Sequence, residues 1–187
     1  MDTDFSFHPI GIVSSCFTEK FGIPRQPGLV PAARAALELL PPYDRDETCR
    51  GLAEFSHLWI VFVFHAIDAE QWGPTVRPPR LGGNRRVGVF ATRSGFRPNP
   101  IGISSAVLES VRREHGKLVL DLSGIDMLDQ TPVLDIKPYL PYADSIPDAN
   151  GGYAAQPPRP ALSIQFSDRA RQVSAEAEKT YPGFTDL

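Results

Sequence analysis

Cysteine is scarce in this 187-residue sequence, which contains only Cys16 and Cys49, far apart in the chain. So few cysteines exclude a disulfide-stabilised framework and fit a protein that works in the reducing cytoplasm. Neither cysteine has a second one nearby, and the four histidines lack the spacing of metal ligands. We therefore expect no structural zinc and no metal cofactor.

The sequence also lacks a long apolar run, and no segment reaches the length of a membrane-spanning helix. Its first residues, Met1–Asp4, have neither the basic residues nor the apolar stretch of a signal peptide. Apolar residues make up 42% and charged residues 22% of the chain, a balance typical of globular domains. We therefore expect one cytoplasmic domain with a substantial core and a small appendage, and no membrane partner.

Acidic residues are missing from one long stretch of the chain. The net charge is −3, yet no Asp or Glu occurs between Glu70 and Glu109. An arginine-rich stretch without carboxylates has a localised positive field, and the guanidinium fork suits phosphate and carboxylate groups. The pattern favours a ligand with phosphate or carboxylate groups; for the four arginines from Arg77 to Arg86, a solvated basic loop is the alternative. The arginines of this stretch are Arg77, Arg80, Arg85, Arg86, Arg93 and Arg97.

The chain is rich in turns, with 19 prolines and 15 glycines, and its patterns predict mainly strands. No G-x-G-x-x-G follows a strand, so the usual Rossmann cofactor cradle is absent. Short strands with peripheral helices indicate an all-β barrel or an α+β domain. The predicted strands are Phe5–Phe17, Ser56–Ala66 (fully buried), Val87–Thr92, Ile101–Arg113, Lys117–Ser123, Val133–Lys137 and Leu162–Phe166. Helices are predicted at Pro31–Leu40 and Asp168–Thr180, and loops over 19–31, 73–84 and 150–160.

The segment Gly88–Ser104 is the most informative part of the sequence. Pro98 and Pro100 exclude a helix there, because each forces the preceding residue into an extended conformation. Asn99 between them offers a donor and an acceptor on a stiff loop, which suits a polar ligand. A rigid structural turn is the alternative interpretation.

Four motifs in the same order resemble the TsaA-like (TrmO) family, over about Phe7 to Asp144. The first is R-S-x-x-R-P-N-P-I-G at Arg93–Gly102, which looks like the family hallmark. The other three similar segments are Phe21–Pro31, Gly51–His65 and Leu128–Asp144. The resemblance implies a tRNA methyltransferase that uses S-adenosylmethionine, built as a mainly β, single-sheet β-barrel with peripheral helices.

The resemblance also implies which residues form the cofactor site. It predicts a TsaA-like barrel domain over residues 1–148, followed by a linker and the start of a truncated C-terminal domain over 149–187. Family members are homodimers whose cofactor site lies close to the subunit interface. By similarity, S-adenosylmethionine contacts Pro24, Arg25, Gln26, His65, Arg93, Ile103, Leu128, Asp129, Gln130 and Thr131.

The reaction implied by the resemblance is methylation of N6 of N6-threonylcarbamoyladenosine beside the anticodon of certain tRNAs. Asp135 could accept the N6 proton, and Lys137 or Arg97 could pair with the threonyl carboxylate. Asn99 is a further candidate, and Tyr139 could stack on a base. The alternatives are a same-face ion pair of Asp135 with Lys137, and a core position for Tyr139. Phosphates of the tRNA would contact the basic loop through Arg77, Arg80, Arg85 and Arg86.

Two positions depart from the family pattern. Gly95 stands where proline is common, and Gln130 stands where glycine is common. Gln130 could alter its loop, because glycine reaches positive φ easily and glutamine does not. This departure, with the short C-terminus, keeps open a second function: a non-catalytic module on the same barrel that senses S-adenosylmethionine or binds RNA.

Overall fold

The computed structural model describes residues 4–158 and 165–180, and these ranges contain eight strands and two α-helices. The contacts divide the chain into two units, Met1–Ser145 and Ile146–Leu187. The strands are β1 (Gly11–Ser15), β2 (Arg34–Leu39), β3 (His57–Val63), β4 (Thr75–Val76), β5 (Val87–Gly88), β6 (Ile101–Glu114), β7 (Lys117–Ser123) and β8 (Thr131–Pro138). The helices are α1 (Pro141–Asp144) and α2 (Asp168–Thr180).

Six of the strands form a closed barrel in the order β1-β2-β7-β6-β3-β8. Every pair is antiparallel, and β1 closes the ring by pairing with β8, from Gly11 opposite Val133 to Val13 opposite Thr131. The interior is filled by alternate apolar side chains from all six strands. The predicted mainly β, single-sheet barrel is therefore confirmed.

The strand predicted over Ser56–Ala66 forms as β3, but it is buried on one face only. Leu58, Ile60 and Phe62 point into the core with at most 5% of their surface exposed. The alternate residues are half-buried or exposed, because a barrel strand has one face inside and one outside. The uninterrupted apolar run therefore reflects an outer face that is apolar as well, with Trp59, Val61 and Val63 on it.

The helix predicted over Pro31–Leu40 is wrong, because β2 occupies this segment. Ala35, Leu37 and Leu39 are buried, and the residues between them are more exposed, which is the alternation of a strand. Helix propensities differ by only about 0.7 kcal/mol per residue among ordinary residues. Pairing along both edges, with β1 and with β7, outweighs that preference.

The remaining predictions differ in smaller ways. The hairpin β6–β7 is confirmed, with its turn at His115 and Gly116, both at positive φ. The strand predicted over Val87–Thr92 is wrong beyond Gly88, since a 3-10 turn follows at Val89–Ala91. The short β5 instead pairs with β4, which lies inside the segment predicted as a loop.

The second unit contains α2, at the bounds predicted from the sequence, and a 3-10 turn at Gly152–Ala154. Most of the strand predicted over Leu162–Phe166 lies outside the described residues, and the division after residue 148 stays a prediction. None of the helices in the described ranges has the length and apolar character needed to cross a membrane.

The pairing of β3 with β6 includes a contact that requires glycine. Gly102 lies opposite Phe62, and a Cβ on Gly102 would lie 2.3 Å from the Phe62 ring. Gly95 is similar, because its Cβ would lie 2.5 Å from Ile67 and 2.8 Å from Phe64. The loop that leads into β6 can therefore approach the end of β3 closely only with glycine at both positions.

We expect Gly102→Ala to lower the free energy of unfolding by about 1–3 kcal/mol, because the added methyl group overpacks the Phe62 ring. Urea denaturation measures this loss. Gly88→Ala is the matched control, since Gly88 has an ordinary φ of −57° and an open space around its Cβ position. Equal denaturation midpoints for the two variants would contradict the expectation.

Candidate active site

A cavity of about 320 Å³ opens at one end of the barrel. Its wall combines the loop after β1, the end of β3 with the turn that follows, the loop before β6, the start of β6, and the segment before β8. Eight of the predicted cofactor residues line it, together with the predicted substrate residue Arg97. The eight are Pro24, Arg25, Gln26, His65, Arg93, Ile103, Leu128 and Thr131.

Side-chain hydrogen bonds hold the loops of the cavity together. Lys20 Nζ donates to the carbonyl oxygen of Ala66, which joins the loop after β1 to the turn after β3. Arg93 Nη1 donates to Gln26 Oε1 over 2.8 Å, which joins the same loop to the segment before β6. These bonds bring together residues that are far apart in sequence.

Arg97 is half-buried, and its guanidinium is turned toward its own loop. Its Nη1 lies 3.3 Å from the carbonyl oxygen of Thr92 and 3.5 Å from that of Ser94. Arg93 is exposed, so its guanidinium faces solvent at the cavity as well as Gln26. The two arginines of the hallmark motif therefore differ in their surroundings, although both line the cavity.

Asp126 lines the cavity too, and sequence reasoning missed it. Ser104, which is 1% exposed, donates its hydroxyl hydrogen to Asp126 Oδ1 over 2.5 Å. Burial raises the pKa of Asp126, while the bond from Ser104 and the positive charge of Arg93 act in the opposite direction. A lone carboxylate inside the apolar stretch Gly124–Leu128 was the available signal, because an unpaired charge there is costly.

Asp129 and Gln130 do not line the cavity. Asp129 Oδ1 instead accepts a hydrogen bond of 2.9 Å from the backbone N–H of Ser15. Gln130 has a φ of 61°, and its backbone N–H donates to Val13 over 2.8 Å. The loop therefore adopts a left-handed conformation although glutamine occupies this position, at a cost of about 1–2 kcal/mol for a side chain with a Cβ.

The predicted substrate residues on β8 face away from the barrel interior. Lys137 Nζ and Asp135 Oδ2 form an ion pair of 2.7 Å, with 66% of the Lys137 side chain and 48% of the Asp135 side chain exposed. Tyr139 packs on the outside of β3, with its ring 5.4 Å from that of Trp59. Asn99 is exposed in the loop before β6. Four of the predicted catalytic residues, all within the described ranges, do not line the cavity, and their catalytic roles stay predictions. They are Asp135, Lys137, Tyr139 and Asn99.

The basic loop lies around the small sheet of β4 and β5, and its arginines are all exposed to solvent. Arg86 Nη1 donates to Thr75 Oγ1 over 3.0 Å, which links the two strands by their side chains. The other three arginines are Arg77, Arg80 and Arg85.

Metal ligands are not clustered in the part of the chain that the structure describes: no three His, Cys, Asp or Glu side chains could hold an ion together. Both cysteines are free, with Cys16 exposed and Cys49 half-buried. Burial raises the pKa of the Cys49 thiol, which disfavours the reactive thiolate.

The raised pKa of Asp126 has a consequence for stability. Because the pKa is raised, the folded state binds the carboxyl proton of Asp126 more tightly than the unfolded state does. Stability therefore falls as pH rises from the unfolded pKa through the raised pKa and the carboxyl group ionises. Asp126→Asn should therefore raise the melting temperature at pH ~7, and this gain should disappear below the unfolded pKa of about 3.9. Thermal denaturation over this pH range measures both the gain in melting temperature and its disappearance at low pH.

Asp121→Asn is the matched comparison, because hydrogen bonds from Arg112 lower the pKa of Asp121. Its ionised form stabilises the fold above the unfolded pKa, and this contribution is lost as pH falls through the lowered pKa. The Asp121 substitution should therefore lower the melting temperature at neutral pH. Shifts of the same sign for both variants would contradict our account of Asp126.

Comparisons with known proteins give a consistent result. A family model described as "tRNA-methyltransferase O N-terminal domain" matches residues 12–145. The chain is 50% identical over 183 residues to the Escherichia coli K12 protein named "tRNA (adenine(37)-N6)-methyltransferase", covering 98% of this chain and 78% of that protein. It is 55% identical over 171 residues to a Pseudomonas aeruginosa protein named "Putative S-adenosylmethionine-dependent methyltransferase RcsF", covering 91% and 72%. The solved structure of TrmO from Pseudomonas aeruginosa superposes with a TM-score of 0.81 and 47% identity, covering 99% of this chain and 79% of that one.

Proposed function

Because the chain belongs to the tRNA-methyltransferase O family, we propose that it transfers the methyl group of S-adenosylmethionine to N6 of adenine 37 of tRNA. The family match confirms the resemblance predicted from the sequence. The substrate form that we propose is N6-threonylcarbamoyladenosine, and the cytoplasm is the proposed location because tRNA is the substrate. The observation that carries the proposal is the cavity, which is lined by eight of the predicted cofactor residues and by Arg97.

The cavity fits S-adenosylmethionine in size and in chemistry. Its volume of about 320 Å³ lies within the range of small-molecule sites. Apolar side chains, including Phe62, Ile103 and Leu128, offer contacts for the adenosine part, and charged groups offer partners for the amino-acid part. The residues that would hold the cofactor are Pro24, Arg25, Gln26, His65, Arg93, Ile103, Leu128 and Thr131.

The protein's contribution to methyl transfer is alignment. S-adenosylmethionine supplies a methyl group on a sulfonium, and its displacement needs the accepting nitrogen in line. The hydrogen bond from Arg93 to Gln26 connects two walls of the cavity, so it positions the residues that surround the cofactor. The loop with Pro98 and Pro100 is stiff, and that stiffness reduces the entropy lost when a ligand orders it.

The accepting nitrogen must lose a proton, and we propose Asp135 as the group that accepts it. In the described chain Asp135 pairs with Lys137 on the outer face of β8, so the substrate would have to replace part of that ion pair. Lys137 and Arg97 are the proposed partners of the threonyl carboxylate. Asn99 and Tyr139 are proposed to contact the substrate from the adjoining loops.

The tRNA backbone is proposed to contact the exposed basic loop. Four arginines lie within ten residues of one another, and no carboxylate occurs from residue 71 to residue 108 to weaken their field. Contacts of this kind bind phosphate irrespective of base sequence and weaken with salt. The four arginines are Arg77, Arg80, Arg85 and Arg86.

We expect the chain to bind S-adenosylmethionine in calorimetry and to methylate threonylcarbamoylated tRNA, with an unmodified transcript as the negative control. Arg93→Ala should weaken cofactor binding about tenfold or more, because a charge-assisted contact is lost.

The double variant Arg85→Ala and Arg86→Ala should bind the cofactor normally and raise the KM for tRNA. Cofactor binding without any methyl transfer to the modified tRNA would instead support a non-catalytic module that senses S-adenosylmethionine.

A homodimer is also proposed, with the outer face of β3 and β6 as its interface. Ile101 and Ile103 on this face are 38% and 51% exposed, and Ile103 also lines the cavity. An interface here would bury exposed apolar surface beside the cofactor site.

We expect the chain to sediment as a dimer and the Ile101→Glu variant to sediment as a monomer, because a buried charge at an apolar interface is costly. Val173→Glu is the control, since Val173 is an exposed apolar residue of α2 and not of a barrel strand. A wild-type chain that sediments as a monomer at micromolar concentration would refute this interface.

A further inference from the structure

Asp126 is the one carboxylate among the described residues that line the cavity. The other ionisable groups of the wall are cationic or are histidine, so the site as a whole attracts anions. A negative group in such a wall marks the position where a ligand carries positive charge. The cationic side chains of the wall are Lys20, Arg25, Arg93 and Arg97.

The carboxylate of Asp126 is held in place from the barrel interior. Ser104 on β6 is 1% exposed, and its hydroxyl group donates to Oδ1 of Asp126 over 2.5 Å. Ser104 therefore orients one oxygen of the carboxylate. Arg93 lines the same cavity, and its positive charge is close enough to favour the ionised form of Asp126.

Neighbouring opposite charges match the amino-acid end of S-adenosylmethionine. That end is a zwitterion, with a carboxylate and an ammonium group on the same carbon atom. Arginine binds carboxylates through its planar fork, and a carboxylate accepts hydrogen bonds from an ammonium group. A partly buried carboxylate is costly without such a partner, so a bound ammonium would offset the cost of keeping Asp126 ionised.

We propose that Asp126 binds the α-ammonium group of S-adenosylmethionine while Arg93 binds its α-carboxylate, so that this pair sets the direction of the cofactor in the cavity. The proposal rests on the proposed function. The sulfonium is the other positive group of the cofactor, but it has no N–H or O–H group to donate. The ammonium group can donate to the carboxylate oxygen that Ser104 does not use, and for this reason it is the better partner.

Calorimetric titration with three probes tests the proposal on the full chain. S-adenosylmethionine carries both the sulfonium and the ammonium, S-adenosylhomocysteine carries the ammonium alone, and 5′-methylthioadenosine lacks the whole amino-acid end. Asp126→Asn should lower the affinities for S-adenosylmethionine and S-adenosylhomocysteine by a similar factor of about ten or more, because a hydrogen bond to a charged group is lost. Binding of 5′-methylthioadenosine should change by less than about twofold, since that probe has no ammonium to lose a partner.

Two further variants sharpen the test. Ser104→Ala should show the same selectivity among the probes with a smaller loss, because the carboxylate remains but loses its orientation. Asp121→Asn is the control, since Asp121 lies outside the cavity wall and pairs with Arg112. It should leave the affinities for all three probes unchanged. Circular dichroism and thermal melting establish that each variant is folded before titration.

Three results with Asp126→Asn would overturn the proposal. An equal loss of affinity for all three probes would mean that Asp126 has a structural role in the cavity. A loss of affinity for S-adenosylmethionine alone would mean that Asp126 recognises the sulfonium. Unchanged binding of all three probes would leave it no role in recognition. A wild-type chain that binds none of the probes would overturn the proposed function itself, whereas wild-type binding with any of those three results overturns only the role of Asp126.

Discussion

The contact between Phe62 and Gly102 is the constraint on which the cavity depends. The Phe62 ring fills the space that a Cβ of residue 102 would occupy, and it packs edge-on against Phe64 with 5.0 Å between the ring centroids. Because Gly95 approaches Phe64 in the same way, the loop between the two glycines lies directly on this aromatic pair. Phe62, Phe64 and Gly102 line the cavity, and the segment just before this loop contains Arg93, which donates to Gln26 across it.

Much of the architecture could be predicted from local patterns, and the failures have physical causes. The hairpin β6–β7 was predictable because both strands alternate and a glycine-containing turn joins them. The segment of β2 also alternates, but its alanines and leucines favour a helix equally well, and only pairing with strands distant in sequence decides between the two. Strand pairing of this kind depends on the whole barrel, so it cannot be predicted from a short segment of the sequence.

The candidate site was predictable to the extent that its motif is continuous in sequence. Arg93 and Arg97 belong to that motif and line the cavity with residues of other segments. The sequence signals Asp126 only as a lone carboxylate in an apolar stretch, because its neighbours Ser104 and Arg93 join it only in the folded chain. A site that keeps a partly buried carboxylate for ligand recognition is less stable than one without it. Local sequence preferences do not predict such a residue, because it is kept for function and not for stability.

The closure of the barrel by β1 and β8 has a consequence for synthesis on the ribosome. The chain emerges from its N-terminus, so β1 leaves the exit tunnel first of the six barrel strands, and its neighbour β8 leaves last. During that interval one edge of β1 has open N–H and C=O groups, which are a template for pairing with other chains. Nascent chains that stall before β8 therefore carry an open sheet edge, and their protection depends on chaperones or on rapid completion of translation.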